Sequence, residues 1–317
     1  MRKLLFFFMC ISSFACNQTN EVVENITVSA KGLPQLHSGE GHYQLWATFF
    51  QFNKRFAPQS PMHEGEFVSL GKFLVAENGT LRGLDGSVAE FHVPPGRSLQ
   101  LLQDIVISIQ PATQVHDDEP GPIILGGKFF GDASRAHAEL TISYVDALNA
   151  GFASAVGQCT IIAPTSPADS NAGVWFVESG TTISAGLRNV PRLPMTWKYE
   201  GWVIERANNQ TIYHSTGKFS RADSADLDGA GITGGSGAPL NFPGQDFVTG
   251  AFRPSLTDGK FAFMISIEPF PDNAEGPFFL RLFETSTNPG LVLPRKQPMQ
   301  NVMSASSPTA RVVIQRP

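Results

Sequence analysis

The sequence predicts an all-β protein: two tandem antiparallel β-sandwich domains related by internal duplication. Three observations carry that prediction. The 317 residues include 30 Gly and 23 Pro, so turns punctuate short apolar runs, and no long stretch keeps a helical period. Apolar residues make up 42% of the chain and charged ones 16%, which is enough to bury a core rather than stay disordered. One ordered set of short motifs also occurs twice in the chain.

In chain order, the first feature is "MRKLLFFFMCISSFAC". It has a basic start at Arg2 and Lys3, an apolar run from Leu4 to Phe14, and Ala15 before Cys16. This reads as a signal peptide over residues 1–15, too short to span a bilayer. Ser13-Phe14-Ala15 fits ordinary signal peptidase, whereas Ala15-Cys16 fits the core of a bacterial lipobox, and both readings cut the same bond. The chain has three Cys, and a Cys at the cut favours lipidation of Cys16. Residues 16–25 are then a lipidated Cys and polar tether. Of the remaining two Cys, Cys10 leaves with the signal and Cys159 stays beside an apolar β-branched run. It reads as a small buried hydrophobe rather than a nucleophile.

The duplication is read from paired anchors. Val28-Ser29-Ala30 matches Ile183-Ser184-Ala185, and Tyr43 and Trp46 precede Tyr199 and Trp202 by 156 residues. Gly71-Lys72-Phe73 matches Gly217-Lys218-Phe219. Ile107-Ser108-Ile109 with Pro111 matches Ile265-Ser266-Ile267 with Pro269, and Gly121-Pro122 matches Gly276-Pro277. The offsets run from 146 to 158 in constant order, which predicts copy one over 26–150 and copy two over 151–317. A period this long indicates tandem globular domains rather than solenoid repeats. Within each copy "YQLWATF" and "YEGWVIE" alternate as half-buried strands, so Tyr and Trp three apart point to opposite faces and at least one of each pair enters the core. Asn78-Gly79 marks a hairpin turn, and "DIVISIQP" and "FAFMISIEP" are strands stopped by Pro. The segment 138–180 contains strand-like pieces that complete one copy or open the next, and "ARVVIQRP" at the C-terminus reads as a closing strand.

The ordered series "ITVSAKGLPQL", "YQLWATF", "SLGKF" and "FMISIEPFPDNAEGPFFL" resembles the extracytoplasmic C-terminal domain of anti-sigma-K factors of the RskA type. Here it appears twice and covers roughly two thirds of the chain. The resemblance implies a β-sandwich outside the cytoplasm. It does not extend to a sigma-binding helical domain or a membrane-spanning helix, so it bears on fold more than on anti-sigma activity.

Candidate chemistry is thin. The loops "HDDEPGP" and "PDNAEGP" offer Asp117, Asp118 and Glu119, and Asp272 and Glu275. Clustered carboxylates suit Ca²⁺, but neither loop alone supplies the six to eight oxygens it takes, and both read first as solvated turns. "DSADLDGAGITGGSGAP" imitates the start of a calcium loop with Asp226 and Asp228. It carries Gly235 where a bidentate Glu belongs, and so reads as a flexible Gly-rich excursion. The seven His form no zinc spacing, and no Gly-x-Ser-x-Gly elbow is present. No cofactor is implied. The low, mixed charge, net −5, argues against a nucleic-acid partner.

The expectation is therefore a non-catalytic cell-envelope lipoprotein: a binding, sensing or structural module held at a membrane by its lipid, with an envelope protein or a glycan as partner. Two alternatives stand beside it. One is a glycan-active or other hydrolytic enzyme with carboxylates converging between the domains. The other is an extracytoplasmic partner in sigma/anti-sigma stress signalling.

Overall fold

A computed structural model of the chain describes residues 25–36, 41–50, 65–97, 99–112, 118–131, 135–207, 209–272, 274–285 and 295–315. The signal peptide, Cys16, most of the tether and Asp117 lie outside the described residues.

The fold is all-β. Copy one contributes β1 (Asn25–Lys31), β2 (His42–Phe50), β3 (Gly65–Val75), β4 (Leu81–Arg82), β5 (Leu102–Gln110), β6 (Ile123–Gly131) and β7 (Arg135–Thr141). Then follow β8 (Gly157–Ile161), β9 (Gly173–Trp175), β10 (Val177–Ser179), β11 (Ile183–Ala185), β12 (Trp197–Ala207), β13 (Gln210–Phe219) and β14 (Gly244–Asp246). The chain ends with β15 (Phe261–Pro269), β16 (Arg281–Glu284), β17 (Lys296–Asn301) and β18 (Thr309–Gln315), with one helical turn, Met303–Ser306, before the last strand. Two eight-stranded antiparallel sheets form, ordered β1-β18-β7-β6-β5-β2-β3-β4 and β13-β12-β15-β16-β17-β8-β9-β14. The first curls into a half-barrel and the second into a nearly closed barrel.

The internal repeat is visible in hydrogen bonding as well as in sequence. The order β3-β2-β5-β6-β7 in one sheet is β13-β12-β15-β16-β17 in the other. The irregularities repeat too. The β2/β3 register shifts between Leu45 and Trp46 and the β12/β13 register between Glu200 and Trp202, in each case opposite a glycine with positive φ, Gly71 (+154°) or Gly217 (+97°). A side chain at either glycine would be strained and would collide with what crosses above it. The β5/β6 and β15/β16 ladders slip just before Ser108 and Ser266.

One departure from two self-contained copies appears at the closing strands. β8 follows β7 in the chain, yet it pairs with β17. β18 follows β17, yet it pairs with β7 and β1. Ala138 opposes Val312, and Gln297 opposes Cys159, which are equivalent positions of the two ladders. With the boundary at residue 150, β8 falls in copy two and stays in its sheet, and Thr309–Gln315 alone crosses into the first sheet; with β8 counted instead as the closing strand of copy one, equivalent to β18, the two closing strands are exchanged. A single buried apolar cluster includes residues from both sheets, among them Ile105, Leu125 and Val312 with Cys159, Phe176 and Phe283. Cys159 is fully buried, and burial pushes its thiol well above the usual range, as a packing residue requires.

All four repeated aromatics are buried, with Tyr and Trp on opposite faces. Tyr43 and Tyr199 enter the core, stack on Phe73 and Phe219, and donate to the carbonyls of Pro34 and Pro191. Trp46 and Trp202 face the other way and donate to Ser108 Oγ and Ser266 Oγ at 2.9 and 2.8 Å. Trp202 packs there with Ile204, Ala262, Met264 and Tyr213 in a small second cluster.

Candidate functional site

The acids predicted to matter do not come together as expected. Asp118 and Glu119 are exposed in copy one, and Glu275 is exposed in copy two. Asp272 alone joins a group, and its companions are Glu200 and Glu268, whose ligand atoms lie with its own within 4.8 Å of one another. Neither companion stands in an acidic loop. Glu200 follows Tyr199 on β12, and Glu268 is the acidic residue of the repeated Ile-Ser-Ile-x-Pro strand, β15.

The pleat explains the convergence. Tyr199, Gly201 and Val203 point into the barrel, so Glu200 and Trp202 point outward, beside Ser266 and Glu268 on the neighbouring strand. Glu200 also stands opposite Lys218 of β13. The chain after β15 then folds back over this face: the Phe278 N–H donates to both Glu268 oxygens at 2.9 and 3.1 Å, and Gly276 lies against Tyr213. The second acidic loop is therefore a cover held by a carboxylate, and the expectation of a plain solvated turn is corrected there. The first is held likewise, since Gln110 accepts from the Gly121 N–H at 2.8 Å and donates to the Glu119 carbonyl at 2.9 Å.

A cation already sits among the three carboxylates. Lys218 Nζ lies 2.5 Å from Glu200 Oε2 and 3.5 Å from Asp272 Oδ2. Burial alone would lower the ammonium's pKa, but the hydrogen bond and charge of Glu200, with Glu268 and Asp272 behind it, hold it above its ordinary value. Glu200 also accepts from Ser215 Oγ at 2.6 Å, and Glu268 accepts from Ser266 Oγ. Burial pushes the Glu268 carboxyl up to about 8, assisted by the neighbouring Glu200 charge. The site is thus a knot of one ammonium and three carboxyl groups, in which Lys218 offsets part of the negative charge and Glu268 is pushed toward its protonated form. The twin provides a version with amides in place of two of the carboxylates. Gln44 and Gln110 replace Glu200 and Glu268, Lys72 replaces Lys218, and Ser69 again bonds the side chain beside it, here Gln44 Nε2 at 2.8 Å.

The other predicted pair does meet. Asp226 is buried at 9% exposure, and its Oδ2 accepts from the Gly244 N–H at 2.9 Å. Asp228 is exposed beside it, and both carboxylates occupy the space left by the missing side chain of Gly217. Burial, reinforced by Asp228, raises the Asp226 carboxyl to about 7. The surrounding segment is clamped rather than a flexible excursion. Asp246, fully buried, accepts from Thr165 N at 2.9 Å, Thr165 Oγ1 at 2.5 Å and Trp175 Nε1 at 2.7 Å. Thr165 Oγ1 in turn accepts from the Gly235 N–H at 2.7 Å. Asp246 and Thr165 belong to no motif and are 81 residues apart, so no local signal marks them.

Neither of two cavities in the molecule is lined by Glu200, Glu268, Asp272, Asp226 or Asp228. One of about 400 Å³ runs between Leu187–Arg192 and Ser220–Asp223, and one of about 370 Å³ runs between β1 and the stretch from Gly79 to Phe91. Among the described residues, no helix is long and apolar enough to cross a membrane. Comparison with protein-family models, with curated proteins and with solved structures finds no match for this chain.

Proposed function

We propose that this chain is a non-catalytic cell-envelope lipoprotein, exported through its first fifteen residues and held at a membrane by a lipid on Cys16. In this reading its two β-domains act as a binding, sensing or structural module, with an envelope protein or a glycan as partner. The likeness to the extracytoplasmic domain of anti-sigma-K factors belongs to the same proposal and concerns the β-fold, not sigma binding.

The observation that favours it is the state of the gathered carboxylates. Glu200 and Glu268 accept hydrogen bonds from Lys218, Ser215, Ser266 and a backbone N–H, and neither lines either cavity. Acids for glycoside cleavage face each other across an open site, typically ~5–10 Å apart, with room for substrate between them. These instead hold a cover loop and a lysine.

The test is cell fractionation of the Cys16→Ala variant. Wild type is expected in the membrane fraction and the variant in the soluble envelope fraction. Retention of the variant in the membrane fraction would sink the anchor. Stable anchoring by one modified residue needs more than one acyl chain, so mass spectrometry of the mature N-terminal peptide should show them.

A further inference from the structure

We propose that the seam beside β1 binds an extended peptide of a partner protein, which adds to the first sheet as a further strand. The second sheet shows what such a seam accepts. β9 holds there the place that β1 holds in the first sheet: Val174 opposes Ile161 of β8 as Ile26 opposes Ile314 of β18. On its outer side β9 pairs antiparallel with β14, Gly244 opposite Trp175 and Asp246 opposite Gly173. β14 also approaches β13, at the other end of the sheet, and so nearly closes the barrel.

No strand among the described residues takes the β14 position in the first sheet. β1 is an edge there, laddered to β18 alone, and the sheet curls only into a half-barrel. A cavity of about 370 Å³ lies where the strand would run, between Ile26–Ala30 and the stretch from Gly79 to Phe91. That volume falls within the ~300–1,000 Å³ of ligand sites.

The walls select the occupant. Along an edge strand, alternate residues turn their N–H and C=O groups outward, which leaves half a ladder unfilled. The lining part of β1 offers such an edge over ~16 Å of extended chain. Ile26, Val28 and Ala30 share the core side of β1, and Leu81, Ala89 and Phe91 line the facing wall. No charged side chain lines the cavity among the described residues, so a small ion finds no counter-charge there. A peptide with apolar residues at every second position meets both features: its backbone completes the ladder, and its side chains cover the apolar wall. This inference rests on the reading of the chain as a binding module and names its partner as a polypeptide. It does not depend on the lipid.

The probe is a synthetic eight-residue peptide that alternates Val and Thr between terminal Lys residues. It is titrated into the mature chain, and amide hydrogen exchange is followed by mass spectrometry. At about ten times the dissociation constant roughly a tenth of the chain stays unbound, so the outward amides of Ile26–Ala30 should exchange ~10-fold more slowly. A peptide N-methylated at successive central residues cannot complete a ladder on either edge and should protect nothing. Ala89→Trp, which fills the cavity from the wall opposite β1, should lose the protection, and its thermal unfolding checks that it folds. Absence of protection in β1, equal protection by the N-methylated peptide, or unchanged binding to folded Ala89→Trp overturns the proposal. In the free chain those β1 amides should exchange faster than the amides of β9, which lies between two strands. If they are already protected in a monomer, the chain fills its own seam; if they are protected only in a dimer seen by sedimentation, a second copy fills it. Either result overturns the partner peptide. None of these outcomes alters the Cys16→Ala fractionation, so the peptide site and the anchor fail separately.

Discussion

Glu268 and Gln110 perform one task with different charge, each accepting a backbone N–H from the loop that returns over its sheet. The carboxyl version carries a pH dependence that the amide lacks. Its pKa rises from an ordinary 4.5 to about 8, so between those values the folded chain keeps a proton that the unfolded chain has released. Stability therefore falls as pH rises through that window, and the penalty is absent below it. Glu268→Gln should flatten the decline and raise the melting temperature at pH 8.5 by ~2–4 °C, equivalent to about 1 kcal/mol. An unchanged slope in thermal unfolding between pH 5 and 8.5 would count against this account. Lys218→Met should cost about 3 kcal/mol, because it strands buried carboxylates without their cation. Chemical denaturation of the variant beside wild type measures that cost. The sequence displayed Glu200, Lys218 and Glu268 within or beside the repeated motifs, yet it pointed to the loop acids, of which Asp272 joins the knot. Convergence depends on which face of β12, β13 and β15 each side chain takes, and one bulge at Gly217 helps set that.

At the scale of elements, the strands were legible because alternation, Pro stops and the Asn-Gly turn are local signals. The Gly-rich stretch after β13 was not. Its order comes from Asp246, which accepts three hydrogen bonds from residues far away in the chain. An acceptor-only carboxylate suits three donors, and an amide would place N–H against N–H. Asp246→Asn is therefore expected to destabilise by ~1–3 kcal/mol. It should also open the segment 223–243 to limited proteolysis, with cleavage sites read by mass spectrometry. Continued resistance there would mean that Thr233 and Asp226 suffice to hold the segment. The Tyr and Trp take opposite faces, as expected, for a plain reason: a strand must place residues three apart on opposite sides, with Tyr43 and Tyr199 in the main core and Trp46 and Trp202 buried on the other face.

Over the whole molecule, the exchange of β8 and β18 joins the two copies more firmly than a linker would. Deleting β18 removes the ladder partner of both β1 and β7 while leaving β8 and β17 paired. In a chain truncated after Ser306, hydrogen exchange should accelerate in β1 and β7 of the first sheet, with protection retained in β8 and β17. Loss confined to β17 would instead mean that each copy closes itself. The sequence by itself determined the all-β class, the repeated motifs, the strands along each stretch and the opposite faces of the paired Tyr and Trp, because these follow from periodicity and turn chemistry along contiguous stretches. Only the tertiary structure decided which sheet each closing strand joins, which acids meet and which lysine balances them. Those outcomes rest on pairings between segments far apart in the chain. The two closing strands, "QCTIIAP" and "RVVIQRP", are too alike for local sequence to say which ladder each completes.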